Sequence, residues 1–237
     1  MNSETKIISI IGVITVAVII FGMVMAGKAS QQSAAPTAIT AENLIRPETV
    51  RITGADPKLQ IVEFGDFECP ACAALQPELK KFLAEYGDQV DFAFRIIPIH
   101  ANSKEAAAVA FAAGEQGKFK EMHDMLFEQQ AEWTKYGISQ PERIALYDKY
   151  AASIGLDVSK YKADFTANRS KYDAIVDQDA KDAQAMNIQS TPTLIIDGKT
   201  AIRGAQRYET LKAIFEEVTS QSGATTSEAA DSSSLAL

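Results

Sequence analysis

Apolar residues follow two patterns along this chain, an unbroken run near its start and shorter alternating or periodic segments after about residue 48. The run spans residues 7–27, IISIIGVITVAVIIFGMVMAG, and contains no charged side chain. A helix of about 20 apolar residues is long enough to cross the ~30 Å hydrocarbon core of a bilayer. The run therefore predicts a single transmembrane helix, since buried helices of globular domains rarely reach this length without a polar face.

The apolar run has two interpretations, a retained anchor and a cleaved signal peptide. Secretory signals usually have an apolar region of about 7 to 15 residues followed by a small-residue cleavage site. The longer run favours a membrane anchor or uncleaved signal over residues 1–28, while the Ala and Ser residues after Gly27 leave cleavage open. Lys6 and Lys28 flank the run almost symmetrically, but the short leader favours an internal amino terminus and an extracytoplasmic main chain at a bacterial cell membrane.

Two segments are poor in bulky apolar side chains. Residues 29–47 and 222–237 are rich in Ala, Ser, Thr and Gln. Such segments bury too little apolar surface to offset the entropy lost on ordering. The sequence therefore predicts a flexible linker at 29–47, a single folded domain at 48–221 and a disordered tail at 222–237.

Between residues 48 and 221 the pattern predicts an α/β domain in which strands and helices alternate. In chain order the predicted elements are strand 59–64, helix 70–86, strand 90–99, a helical block over about 102–187, strands 193–196 and 200–203, and helix 208–219. The order is a βαβ unit and a ββα unit separated by a helical insertion of about 85 residues. This is the plan of a thioredoxin fold.

Local signals mark several helix starts. Pro70 stands at the first position of the helix 70–86, where its missing N–H costs nothing. Asn102 with Glu105, and Ser139 with Glu142, have the spacing of capping boxes. These pairs predict two helix starts within the helical block.

The charge balance excludes one class of partner. The chain has a formal net charge of −8 and a pI near 4.9. A nucleic-acid surface would need clustered Lys and Arg. We therefore expect proteins or small molecules as partners and no nucleic acid.

The only cysteines are Cys69 and Cys72, at the predicted junction of the first strand and its helix. A Cys-X-X-Cys pair in this position is a redox signature. A structural disulfide is one alternative, but closing so short a loop removes little entropy from the unfolded chain. A zinc site with His100 and His123 is another, although those histidines are much further apart than in compact zinc fingers. Dithiol chemistry is favoured, with no metal and no cofactor expected.

The helix start predicts different roles for the two thiols. A thiol at a helix amino terminus faces unpaired N–H groups and the positive end of the macrodipole, which favour the thiolate. We expect Cys69 to form the mixed disulfide with substrate and Cys72, one turn inward, to resolve it. Pro70 and Ala71 are expected to tune the redox potential, because they set the backbone angle and the number of N–H donors near the sulfur atoms.

The residues E-F-x-D-F-x-C-P-x-C at 63–72, with Thr191-Pro192-Thr193 before a predicted strand, resemble the DsbA-like thioredoxin family and its membrane-anchored bacterial members. The resemblance covers about residues 48–221 and includes the start of the helical insertion at 105–127. It implies oxidation of exported proteins by a monomer. It also implies reoxidation by a membrane quinone reductase of the DsbB or VKOR type.

The resemblance assigns roles to three further residues. Pro192 matches the family's cis-proline beside the active-site disulfide, and Thr191 would offer backbone groups to a substrate strand. An ordinary trans proline entering a strand is the alternative. Glu63 matches a buried acid beneath the cysteines, where burial would raise its pKa and let it exchange a proton with Cys72. An exposed Glu at a strand end is the alternative.

Other polar and apolar residues near these motifs receive simpler interpretations. Asp66, Phe67 and Glu68 are expected to line the approach to Cys69, where the two acids would oppose a thiolate. His100 and His123 are assigned no role. One apolar set in the insertion has helical spacing and is predicted to be core rather than a peptide groove. Its members are Phe119, Met122, Met125, Leu126, Phe127 and Trp133.

The sequence therefore predicts a membrane-anchored thiol-disulfide oxidoreductase that forms disulfides in exported proteins through Cys69 and Cys72. Two alternatives stay open. One is an extracytoplasmic disulfide reductase or isomerase. The other, from a different class, is a membrane-tethered binding or chaperone module in which the cysteines are incidental.

Overall fold

The computed structural model of the protein describes residues 39–40 and 44–232, with side chains through residue 220. The predicted transmembrane segment 7–27, much of the predicted linker and residues 233–237 lie outside the described residues. Among the helices that are described, none is both long enough and apolar enough to cross a membrane.

A five-stranded sheet forms the centre of the domain. Its strands are β1 Val50–Thr53, β2 Leu59–Gly65, β3 Val90–Ile96, β4 Thr193–Ile196 and β5 Thr200–Arg203, in the spatial order β1-β3-β2-β4-β5. β2 and β3 are parallel, and every other neighbouring pair is antiparallel. The parallel pair is the predicted βαβ unit, and the β4–β5 hairpin begins the predicted ββα unit.

Helices connect and cover the sheet. They are α1 Pro70–Tyr86, α2 Ser103–Gly114, α3 Phe119–Glu128, α4 Gln130–Trp133, α5 Gln140–Ser153, α6 Val158–Ala167, α7 Arg169–Ala185 and α8 Tyr208–Ser232. A short 3-10 turn at Gly87–Gln89 joins α1 to β3. Helices α2 to α7 lie between β3 and β4, which confirms the helical insertion of the predicted fold.

The alternation of side chains along β2 sends them to two separate cores. Leu59 and Ile61 join the larger cluster, which includes buried residues of α1, the insertion and α8. Val62 and Phe64 point to the opposite face, where a smaller cluster packs. Glu63 has the same parity as Ile61, so it stands on the face covered by α1.

Of the two capping boxes predicted from the sequence, one forms and the other does not. Ser139 accepts a hydrogen bond from the Glu142 N–H while Glu142 accepts from Ser139, so this capping box forms. The capping box predicted at Asn102 does not form. Its Glu105 side chain instead accepts a 2.6 Å bond from Arg143, because a charged partner on α5 competes with the local backbone.

The structure corrects the predicted domain boundaries. Leu44 was expected in the flexible linker, but it is fully buried in the smaller core cluster. Arg46, from the same predicted linker, donates a 2.6 Å hydrogen bond to Asp179 of α7. Helix α8 also continues to Ser232, into the predicted tail. Strand β1, which was not predicted, pairs with β3 at one edge of the sheet.

Candidate active site

Cys69 and Cys72 lie where β2 passes into α1. Cys69 is the N-cap residue, with extended backbone angles, and Pro70 follows at the first helical position as predicted. Both cysteines are free thiols. Cys69 retains 7% of its accessible surface and Cys72 retains none. A bulky substrate can therefore reach only the Cys69 sulfur without unfolding the helix start.

The environment of Cys72 holds its proton in place. Burial and the nearby Glu63 charge both raise the pKa of the Cys72 thiol far above its ordinary range, while a hydrogen bond from the Asp66 backbone opposes them. A thiol in this state is a poor nucleophile, because the thiolate is the reactive form. Cys72 therefore needs a base that removes its proton before it can attack a disulfide.

Glu63 is such a base. Its side chain is fully buried, as predicted, and burial raises its pKa from the ordinary value of 4.5 to about 8. Gly65 leaves room for the carboxylate, since a Cβ at this position would lie 3.0 Å from Glu63 Oε1 and 2.6 Å from a Phe94 ring carbon. A carboxyl group with a pKa near neutrality can both take and return a proton at physiological pH.

The loop before β4 faces Cys69. The Thr191–Pro192 peptide bond is cis, as the resemblance implied, and Pro192 is buried. The Cys69 thiol donates to the Thr191 carbonyl oxygen at 3.5 Å. Thr193 Oγ1 donates to the Ser190 carbonyl oxygen and so holds the turn closed around the proline. Predicted residues from two distant parts of the chain thus meet at Cys69.

Asp66 lies beneath the active-site turn rather than in the approach to Cys69. It is fully buried, and its carboxylate accepts hydrogen bonds from the backbone N–H groups of Glu68, Ile99 and His100. The His100 ring nitrogen Nδ1 also contacts it at 2.8 Å. Asp66 therefore ties the active-site turn to the loop after β3.

Glu68 has a similar role. Its two carboxylate oxygens accept bonds from the backbone and side-chain nitrogens of Asn102 at 2.7 and 2.8 Å. The prediction that these two acids line the approach to Cys69 missed this use, because their partners are distant in sequence. Both acids fix the backbone from which Cys69 projects.

Two residues of the site were not predicted. Gln130 of the insertion donates its side-chain N–H groups to the carbonyl oxygens of Phe67 and Cys69, at 2.8 and 3.0 Å. Gln76, on α1, donates to both oxygens of Glu63 at 3.5 and 3.3 Å. Neither residue belongs to a motif. For Gln76, its position four residues after Cys72 was the one available signal, because i and i+4 share a helix face.

The histidines considered as zinc ligands lie in separate environments. His100 is held by Asp66. His123 is buried among aromatic rings, with its centroid 4.7 Å from Phe94 and 5.1 Å from Phe127. Within residues 39–40 and 44–232, no three potential ligands are grouped closely enough to hold a metal ion.

The apolar set of the insertion forms core, as predicted. Trp133 is fully buried and its indole N–H donates to the Leu126 carbonyl oxygen at 2.7 Å. Met122 and Leu126 are also fully buried. These side chains stabilise the insertion, and Phe127 also lines a cleft between α1 and α3.

Two solved structures have a similar fold. A periplasmic thioredoxin-like protein from Salmonella enterica serovar Typhimurium superposes with a TM-score of 0.57 at 26% identity, over 74% of this chain and 93% of that one. Oxidised BdbD from Bacillus subtilis superposes with a TM-score of 0.61 at 24% identity, over 78% of this chain and 97% of that one.

A curated relative carries a different name. The Na(+)/H(+) antiporter NhaA 1 of Mycobacterium sp. (strain KMS) is 34% identical over 170 residues, covering 69% of this chain and 26% of the antiporter. The chain thus spans about a quarter of the length of the curated relatives it matches. Because the match covers only a quarter of the antiporter, we do not assign transport activity to this chain.

The family assignment comes from the sequence match and agrees with the fold. Residues 47–217 match a family model described as Thioredoxin, which is well over half of the chain. The matched range contains Cys69 and Cys72 at the start of α1, Glu63 beneath them and the cis bond before Pro192. The chain therefore belongs to the thioredoxin family.

Proposed function

We propose that this protein forms disulfide bonds in exported proteins by exchange through Cys69 and Cys72. One observation carries the proposal, the placement of an accessible thiol and a buried thiol in one helical turn, with a carboxyl group of near-neutral pKa behind the buried one. This arrangement provides a point of attack, a resolving thiol and a proton acceptor.

In the oxidising direction the enzyme begins with the Cys69–Cys72 disulfide. A substrate thiolate attacks Cys69 Sγ, a new sulfur–sulfur bond forms, and Cys72 leaves as a thiolate that takes a proton from Glu63. A second substrate thiolate then attacks the substrate sulfur of the mixed disulfide and releases Cys69. The substrate loses two electrons and gains a disulfide, and the enzyme is left with two reduced cysteines.

The loop at Thr191 is the proposed binding site for the substrate backbone. Its carbonyl oxygen lies 3.5 Å from Cys69 Sγ, so an extended substrate segment beside Pro192 would bring its own sulfur close to Cys69. Main-chain hydrogen bonds of this kind accept many sequences. We therefore expect broad specificity for unfolded, cysteine-containing chains.

The proposed location is the outer side of a bacterial cell membrane, with residues 7–27 as the anchor. The support is the length and charge-free character of that segment. A membrane quinone reductase of the DsbB or VKOR type is the proposed oxidant of the reduced enzyme. Protease added to intact spheroplasts should digest the domain, whereas protection until lysis would contradict this location.

A trapping experiment tests the exchange chemistry. In Cys72→Ser, the Cys69 thiolate can attack a disulfide of an exported protein, release one of its sulfurs as a thiolate and form a mixed disulfide with the other. No Cys72 thiol is present to displace the bound protein, so these mixed disulfides should accumulate and disappear on reduction. Cys69→Ser is the matched control and should trap none. Equal trapping by the two variants, or restoration of alkaline phosphatase disulfides by Cys69→Ser, would overturn the proposal in favour of a binding module.

A further inference from the structure

Gln76 connects the buried acid to the protein surface. It lies one helical turn after Cys72 on α1, and its amide donates to Glu63 Oε1 and Oε2. The side chain is half-buried. Its other side lines two adjoining clefts of about 240 and 310 Å³ between α1 and α3.

The two clefts share Gln76, Lys80 and Asp124, and they open to solvent beside Lys80, which is exposed. The first cleft is also lined by His123, whose Nε2 atom is buried and has no hydrogen-bond partner among the described residues. His123 Nδ1 contacts Asp124 at 3.1 Å, and burial lowers the pKa of His123, so a neutral ring directs its free lone pair from Nε2. Clefts of this volume have room for water, and the polar atoms that line them can bind it.

The exchange reaction needs this connection. Glu63 gives up or receives a proton in every half-cycle, but it is fully buried. Cys72 is also fully buried, and a substrate bound at Cys69 would cover the 7% of that residue that is accessible. A proton route that stays open during the reaction must therefore reach Glu63 from the side of the helix away from Cys69.

We propose that Gln76 is a positioning residue for the Glu63 carboxyl group, and that the cleft between α1 and α3 is the route by which this group exchanges protons with solvent. The inference rests on the proposed function, since it assigns the proton path of the same site. Water in the cleft, bound near Gln76 and His123, carries the proton past apolar lining residues such as Leu79 and Phe92.

Charged and titratable groups face this path from both helices. They are Lys80 on α1, and Lys120, His123, Asp124 and Glu128 on α3, while Cys72 lies beside Glu63 at the inner end of the path. Lys80 is paired with Glu128 at 2.7 Å and Lys120 with Asp124 at 2.8 Å. The rim is therefore close to neutral, so Cys72 and the Gln76 amide are the groups expected to act most strongly on Glu63.

Two substitutions of Gln76 test the positioning role. Gln76→Met removes the N–H donors and should raise the pKa of Glu63 by about one pH unit, because hydrogen bonds to a carboxylate favour its charged form. Gln76→Lys places a cation beside the carboxylate and should lower that pKa. The readout is NMR titration of the Glu63 side-chain carboxyl carbon. A purely structural role would not move the two variants in opposite directions, and an unchanged pKa in both would overturn the positioning role.

Hydrogen–deuterium exchange of the protonated Glu63 carboxyl, followed by rapid-mixing infrared spectroscopy, tests the route. Ala84 is exposed and lines the first cleft, so Ala84→Phe should fill that cleft and slow the exchange several-fold. Ala74→Phe is the matched control, exposed on the same helix but outside both clefts, and should leave the rate unchanged. Equal rates in the two variants would overturn the cleft as the route.

A second experiment distinguishes proton exchange through the cleft from proton exchange beside Cys69. In Cys72→Ser, Cys69 can be held in a mixed disulfide with a bulky aromatic thiol. Infrared exchange at Glu63 should then continue at its original rate if the cleft is the route, whereas blocked exchange would place the route beside Cys69. Neither the titration nor the exchange depends on turnover, so both can fail while substrate trapping by Cys69 still succeeds.

Discussion

At the scale of single residues, Glu63 shows how one side chain is kept reactive at the expense of stability. A carboxylate on the α1 face of β2 occupies a position that apolar side chains fill at Leu59 and Ile61. Among the residues that the structure describes, only Gln76 donates side-chain hydrogen bonds to it, and these are long. The raised pKa is the direct result, and it suits a group that must give and take protons.

The pH dependence of stability should report this burial. Glu63 binds its proton more tightly in the folded protein than in the unfolded chain, because its pKa is about 8 rather than 4.5. The free energy of unfolding should therefore fall as the pH rises from about 4.5 to about 8, by at most about 5 kcal/mol. Glu63→Gln should remove this loss. The variant should match the wild type near pH 4.5 and exceed it near pH 8 in urea unfolding of the reduced protein; parallel pH profiles would contradict the assignment.

The residues with motifs were predictable from the sequence, and those without were not. Cys69, Cys72 and Pro192 are recognisable from their neighbours in the chain. Gln130 and Gln76 act through single long-range contacts, which depend on how the insertion and α1 pack. A glutamine in a helix carries no local sign that its amide will meet a buried carboxylate or a backbone carbonyl.

At the scale of elements, the strongly patterned segments were predicted well. The predicted bounds of α1, β4 and β5 agree with the structure. The strand predicted over 90–99 is shorter than expected, since β3 ends at Ile96. The other errors fall on short or weakly apolar segments. β1 has four residues, alternately half-buried and exposed, and owes its place to pairing with β3. Residues 44–47 have the composition of a linker. In the structure, however, Leu44 packs into the smaller core cluster and Arg46 forms an ion pair with Asp179.

A core substitution tests whether this amino-terminal segment belongs to the domain. Leu44→Ala should lower the free energy of unfolding by about 2 to 5 kcal/mol, the usual range for a fully buried leucine. Ile99→Ala is the control, since Ile99 is 52% exposed, and should change stability by no more than about 0.5 kcal/mol. Chemical denaturation measures both; a neutral Leu44→Ala would restore the interpretation of this segment as linker.

At the scale of the whole molecule, the sheet, α1 and the insertion each contribute one part of the site. β2 supplies Glu63, the start of α1 supplies Cys72 with Cys69 as its N-cap, and the loop before β4 supplies Thr191. The insertion holds the active-site turn through Gln130 and supplies the α3 wall of the cleft. A site built in this way leaves part of Cys69 accessible and keeps Cys72 and Glu63 inside.

The redox equilibrium of Cys69 and Cys72 against glutathione tests the central claim most directly. A disulfide-forming enzyme should show one two-electron transition with a potential well above −270 mV, toward the ~−120 mV typical of strong oxidases. Stabilisation of the reduced form at the start of α1 is the physical reason, since ~30 mV corresponds to about 1.4 kcal/mol. A potential near −270 mV would point to a reductase, and the absence of any exchange with glutathione would contradict the thiol-disulfide function itself.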